Sequence, residues 1–332
     1  VSLVCRDCNQ PSRKICLLNE SSGTDRPPIP ANIKRAVRKR CGFGCVLCGI
    51  PLIEYHHMDP WAEVKVHEEE NLTLLCPLHH SEATKGLLTA AKIVRANANP
   101  VNMRLGVSAG YSLHYEGESA EVVLSTNNFS AAPRQDIEVI RIFGRPLLSF
   151  TFDEGDYFLN VDLMREDGSL AVRIVANELV YATDAWDVTF TGKVLRIRDG
   201  HRRVYLDVEF DTPSTVRVKK ATFWHDHHYV RVMDDRVQYQ SMRIPEGSGS
   251  SLMHGSAYGV SVGINIYDER VEVPPPGLVG LRSYPSREGE VFPKSVGASV
   301  QPLNTTGPRP VRTVSNAFGD GRWYRYGESA PH

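Results

Sequence analysis

CVLCG (residues 45–49) and EYHHMDPWAEVKVHEEENLTLLCPLHH (residues 54–80) decide how the first part of this chain folds. Cys45-x2-Cys48 and Cys76-x2-His79 are two chelating pairs, and together they supply three thiolates and one imidazole. A closed tetrahedral set of that composition suits structural zinc. Buried reduced cysteines acting as small apolar side chains are the plainer alternative, but two matched pairs favour the metal. Pro77 suits the first turn of a helix, which the sequence continues to a cap at Gly86. Successive helical residues project about 100° apart, so if His79 turns to the zinc, His80 faces a different surface. The other doublet, His56-His57, follows a strand-like run in which Ile53 and Tyr55 alternate. Neighbours in a strand point to opposite faces. At a strand end that rule relaxes and both rings can reach one cavity, which spacing alone leaves open.

In order and spacing, CVLCG…IEYHHMDP…ENLTLLCPLHHSEATKG closely resembles an HNH endonuclease of the ββα-metal class, over about residues 30–90. That resemblance implies a hydrolase of phosphodiester bonds acting on DNA. By position, it makes His57 the general base for water, and His56 and His80 the ligands of a catalytic divalent ion. It makes Asn71 the residue that fixes the loop and aims the base. A neutral imidazole accepts a proton near pH 7. Many members carry Asp where this chain has His56. The softer, less negative site is expected to accept Mn2+, Ni2+, Co2+ or Zn2+ and to depend less on Mg2+ alone. The competing expectation is a zinc-stabilised nucleic-acid-binding or scaffold protein without cleavage.

The chain's 332 residues are 41% hydrophobic and 23% charged, with a net charge of −1. A packed core is expected, and positive potential must be local. The densest basic stretch is ANIKRAVRKR, where Ile33 and Val37 mark one helix face. Lys34, Arg35, Arg38, Lys39 and Arg40 on its other faces, with Lys85 after the second histidine doublet, are the expected phosphate contacts; a solvated helix face is the bland reading. No run of about 18 apolar residues is present. All seven cysteines lie within the first 76 residues. With no secretory leader, that clustering points to metal binding in a reducing, cytoplasmic setting.

After a helix over LLTAAKIVRANAN stopped by Pro100, the texture changes to alternation: Leu159, Val161 and Leu163; Val172 and Ile174; Trp186, Val188 and Phe190; Leu206, Val208 and Phe210. Asp167-Gly168, Thr191-Gly192 and Asp199-Gly200 read as turns between them. The expected fold is α+β: a small zinc-stabilised ββα-metal module, then an all-β domain that is a sandwich, barrel or solenoid. The expected organisation is an N-terminal arm (1–30), a nuclease module (31–98) and a β domain (101–245) that targets or regulates it. Residues 246–332 form a linker, one extra strand through Val262, Ile264 and Ile266, and an extended Pro/Gly-rich tail. A restriction or phage-defence role, and a homo-oligomer or regulatory ligand through the β domain, rest on analogy with other HNH fusions. Cys5, Cys8 and Cys16 with Cys41 could form a second zinc knuckle, but no spacing template supports it, and unligated thiols are the expected state. FWHDHHYV (223–230) reads as a polar surface turn, and His67 as a solvated loop residue.

Overall fold

Helix α1 (Ala31–Arg40) buries Val37 completely and packs Ile33 against the same small core. Its last turn holds Arg38, Lys39 and Arg40, where cations complement the helix dipole. The structure, a computed structural model, describes residues 26–242, 249–268 and 277–283. Cys5, Cys8, Cys16 and the tail after 283 therefore lie outside the described residues. After α1, strand β1 (Glu54–His57) pairs antiparallel with β2 (Leu72–Leu75), His57 standing opposite Leu72. The connection carries one short turn of helix, α2 (Trp61–Val64). β2 leads into α3 (Pro77–Thr84), with Pro77 at its first turn and Gly86 just past its end at φ +74°. Thr89 caps α4 (Ala90–Ala98), its hydroxyl accepting from Lys92 N. Pro100 ends that helix but also opens another, α5 (Val101–Leu105). Val37, Leu72, Leu74, Leu75 and Ile93 form the module's core.

The rest is all β. One sheet runs Gly277–Ser283, Val262–Asp268, Ile137–Ile142, Arg145–Asp153, Asp156–Met164, Leu170–Val175, Glu178–Tyr181 and Tyr111–Ser112, in spatial order. The second runs Asp187–Thr191, Val194–Gly200, Arg203–Asp211, Thr215–His225, His228–Val232, Val237–Ser241 and Ser250–Leu252. Glu121–Leu124, Asn127–Ser130 and Ser256–Tyr258 join this sheet through the Thr215–His225 strand. Phe150 and Leu159 of the first sheet share one core with Val208 and Phe223 of the second. The two open sheets form a layered β region and not a closed barrel.

The alternating residues named from sequence point inward: Leu159, Leu163, Val172, Ile174, Val188, Leu206 and Phe210 are all buried. Trp186, which precedes its strand, and Phe190 are only partly buried. Several hairpins close with two residues at positive φ, as the right-handed strand twist favours: Phe143-Gly144, Glu154-Gly155 and Ala176-Asn177. Asp199-Gly200 is not a turn. Both residues lie in a strand, and Arg202, at φ +62°, sits in the turn that follows. Asp226 and His227, at φ +46° and +60°, are the turn within FWHDHHYV. His228 beyond them is fully buried, edge-on to Phe143 and stacked on Tyr239, so that stretch is not a polar surface turn throughout. The segment after 249 supplies more than one strand, and Val262–Asp268 runs parallel to Ile137–Ile142.

The two parts share buried structure. Phe43, just after α1, belongs to the β core, and Tyr181 Oη donates to its carbonyl at 2.7 Å. Asn102 is fully buried; its Nδ2 donates to the carbonyls of Gly42 (3.0 Å) and Gly49 (2.9 Å), and its Oδ1 accepts from Ala109 N (3.2 Å). Gly49 has φ +80°, and a Cβ there would stand 2.2 Å from Asn102 Oδ1, so only glycine fits.

Candidate active site

Gly49 N donates to Cys45 O at 2.7 Å, closing the tight turn that brings Cys45 and Cys48 together. The cap of α3 brings the other pair: Cys76 Sγ accepts from His79 N, and His79 Nδ1 lies 3.2 Å from that sulfur and 3.3 Å from Cys45 Sγ. The four ligand atoms lie within 4.8 Å of one another, the only such cluster of three or more groups among the described residues. Zinc–thiolate bonds of about 2.3 Å at tetrahedral angles put sulfurs about 3.8 Å apart. Cys48 and Cys76 Sγ are 3.8 Å apart. Three thiols and an imidazole at that spacing fit structural zinc. A hydrogen bond with Cys48 is the main cause holding the Cys45 pKa down, which favours its thiolate form. Cys41 is not part of this set; it is buried in the module core beside Thr73 and Asn97.

His56, His57, His80, Arg26 and Trp61 all line one cavity of about 460 Å³. His80 follows His79 on α3 and turns away from the Cys3His set toward β1. Its ring lies edge-on to His56, with centroids 5.2 Å apart. Its Nδ1 is 2.6 Å from Glu54 Oε2. That contact leaves His80 Nε2 as the nitrogen open to an ion, the usual carboxylate–histidine–metal arrangement. Burial, then the charge of His80, lowers the pKa of His56 and keeps it a neutral donor.

His57 sits at the end of β1 and is 8% exposed. Its Nε2 is 3.1 Å from His67 Nδ1, and His67 Nε2 is 2.7 Å from the Pro27 carbonyl. A carbonyl only accepts, so His67 carries its proton on Nε2 and accepts from His57 at Nδ1. His57 therefore holds its proton on Nε2 and its lone pair on Nδ1. Trp61 supports this arrangement, stacked on His67 (4.6 Å) and edge-on to His57 (5.5 Å). Burial first, then the charges of Arg26, His67 and His56, hold the His57 pKa down at about 4. Asn71, 9% exposed, sends its side-chain hydrogen bonds to Asp59 and not to His57. Its Oδ1 accepts from Asp59 N (2.7 Å) and its Nδ2 donates to Asp59 O (3.3 Å), clamping the chain two residues beyond His57.

The basic residues of α1 are placed differently from one another. Arg38 forks onto Asp187 of the β region, Nε to Oδ1 at 2.9 Å and Nη2 to Oδ2 at 2.7 Å, and gives Nη1 to Tyr55 Oη. Arg40 donates to the carbonyls of Glu69 and Leu72. The Arg35 guanidinium stacks 4.4 Å over Trp186, and Lys34 Nζ lies 5.8 Å over the Tyr55 ring. Arg38 and Arg40 thus hold the protein together, while Lys39 and Lys85 are exposed.

Residues 40–86 match the family model for HNH endonuclease. The HNH module spans both zinc pairs and the hairpin carrying the histidine doublet. No curated protein and no solved structure matches the chain. Sequence reasoning missed Glu54, His67 and Arg26. Glu54 stands two positions before His56, on the same strand face, which is a signal the period of a strand carries. His67 and Arg26 reach the site from loops, where no periodicity announces them.

Proposed function

We propose that the chain is a metal-dependent endonuclease that hydrolyses DNA phosphodiester bonds, with the β region targeting or regulating the cut. One observation carries this reading. Within a module that matches the HNH model, one cavity collects a neutral buried imidazole, His57, and two further imidazoles, His56 and His80, beside a separate zinc set. In this reading residues 31–98 are the cutting unit, and the strands that follow residue 101 are the targeting unit. His57 Nδ1 takes the proton of the attacking water. Asn71 keeps the base in place by fixing the backbone at Asp59, and His67 fixes its tautomer. His56 and His80 are the residues that would hold the divalent ion, with Glu54 orienting His80. When bound, that ion neutralises charge on the phosphate and on the departing 3′ oxygen. Imidazole donors favour Mn2+, Ni2+, Co2+ or Zn2+ over strict dependence on Mg2+. Lys34, Lys39 and Lys85 are the proposed backbone contacts outside the cavity. A role in restriction or phage defence is the biological setting this layout suggests.

Plasmid nicking across a panel of divalent ions, by wild type and His57→Ala, tests the reading. Cleavage by wild type with Mn2+ or Ni2+, and a loss of 10² or more in His57→Ala, is expected on the order of general-base effects. Absence of cleavage with every metal, or equal cleavage by both proteins, overturns it in favour of a binding module.

A further inference from the structure

Both ring nitrogens of His57 are engaged. Nε2 donates to His67, and the remaining lone pair, on Nδ1, receives a hydrogen bond from Arg26 Nη2. A base whose lone pair is held by a cation cannot take a proton from water. Arg26 belongs to the short segment preceding α1, and its neighbour Pro27 accepts the His67 bond, so one strap reaches both ends of the His57–His67 pair. The guanidinium lies 5.1 Å over the Trp61 ring and lines the same cavity as His56, His57 and His80. It is permanently charged, and its fork matches a phosphate better than a neutral ring nitrogen.

We propose, on the strength of the nuclease reading, that Arg26 is a ligand of the scissile phosphate and a latch on the base. Arrival of a phosphodiester in the cavity draws the guanidinium from His57 Nδ1 to a non-bridging phosphate oxygen. The lone pair is thereby released only when substrate is present. In the step that follows, a water oxygen bonds to phosphorus and its proton passes to His57 Nδ1. The bond from phosphorus to the 3′ oxygen breaks, and that oxygen takes a proton from solvent. Trp61 is the platform on which the side chain waits and along which it slides.

The test uses the full chain in plasmid nicking, comparing wild type with Arg26→Gln, Arg26→Lys and Arg26→Ala. Arg26→Gln is expected to lose about 10² in kcat/KM, as for removal of one charged donor to a transition state, with an unchanged melting temperature. Arg26→Lys keeps the charge without the fork and should retain part of the rate. Added guanidinium ion should restore cleavage to Arg26→Ala and not to His57→Ala, a rescue that a merely structural role does not give. In the non-cutting His57→Ala background, adding Arg26→Gln should weaken duplex binding about tenfold. Cleavage by Arg26→Gln at the wild-type rate sinks the phosphate role while leaving the nuclease reading intact. Faster cleavage reduces Arg26 to an inhibitory plug and also overturns the proposal. A wild type that shows no cleavage with any of the metals removes both readings.

Discussion

Replacing Asp187 by alanine tests how firmly the HNH module is joined to the β region. The carboxylate is 5% exposed and the Arg38 side chain 14%, and two parallel hydrogen bonds link them. Breaking a buried pair by removing one partner costs about 3–5 kcal/mol, because the other charge stays buried. Here Arg38 keeps the Tyr55 hydroxyl at 2.7 Å and a little solvent, which places the loss near the lower end, about 3 kcal/mol. That corresponds to a factor of roughly 10² in the unfolding equilibrium. Arg38→Met should be slightly less harmful, since Asp187 retains Arg198 at 3.8 Å. The double variant Arg38→Met/Asp187→Leu removes both charges and should recover most of the loss, so its cost falls well short of the sum of the two single losses. Urea unfolding followed by tryptophan fluorescence is a suitable assay, since Trp186 lies next to Asp187 under the Arg35 guanidinium. A cost below about 1 kcal/mol for Asp187→Ala, the value of an exposed ion pair, would refute the clamp.

Three other outcomes follow from the same geometry. Elemental analysis should find zinc in the wild type and none in Cys48→Ser, with loss of the module's helical signal while the β signal persists. Glu54→Gln should weaken catalytic-metal affinity by about 10–100-fold, with cleavage recovered at higher ion concentration; an unchanged metal titration would remove Glu54 from the site. Asn71→Ala leaves Asp59 N without its side-chain acceptor and should cost about 1–3 kcal/mol, along with cleavage rate. Asn71→Asp, which keeps an acceptor, should recover part of the stability, and equal thermal midpoints for both variants would contradict the role.

The helix starts and the Cys3His set were legible because each has a local cause: an apolar pair four apart in α1, Pro77 at a helix start, and paired Cys-x2 spacings; the ββα order came with the family resemblance. The inward faces of the strands were legible for the same reason, since Leu159 and Leu163 or Val172 and Ile174 obey a period of two. What escaped reading is non-local. Arg38 looked like a phosphate contact because its partner stands 149 positions away on a strand of the β region. Asp199-Gly200 has turn composition, yet the hairpin closes one step later, because the register of that pair shifts between Arg198 and Gly200. His67 looked solvated because its partners, Pro27 and His57, meet only when the strap before α1 folds across the loop.

The clamp also bears on how the HNH module is held against the β region. Arg38 touches Asp187 with one edge and Tyr55 with another, and Tyr55 lies in β1 between Glu54 and His56. One guanidinium therefore joins the β region to the strand that carries the histidine doublet. Phe43 in the β core and Asn102 on the carbonyls of Gly42 and Gly49 add a second buried connection on the zinc side. Swinging the module away would expose Phe43 and leave buried polar groups unpaired, at about 1–3 kcal/mol for each. The HNH module is thus no head on a flexible tether. Under the proposed targeting role, a molecule bound by the β region would be held at a set distance and angle from His57.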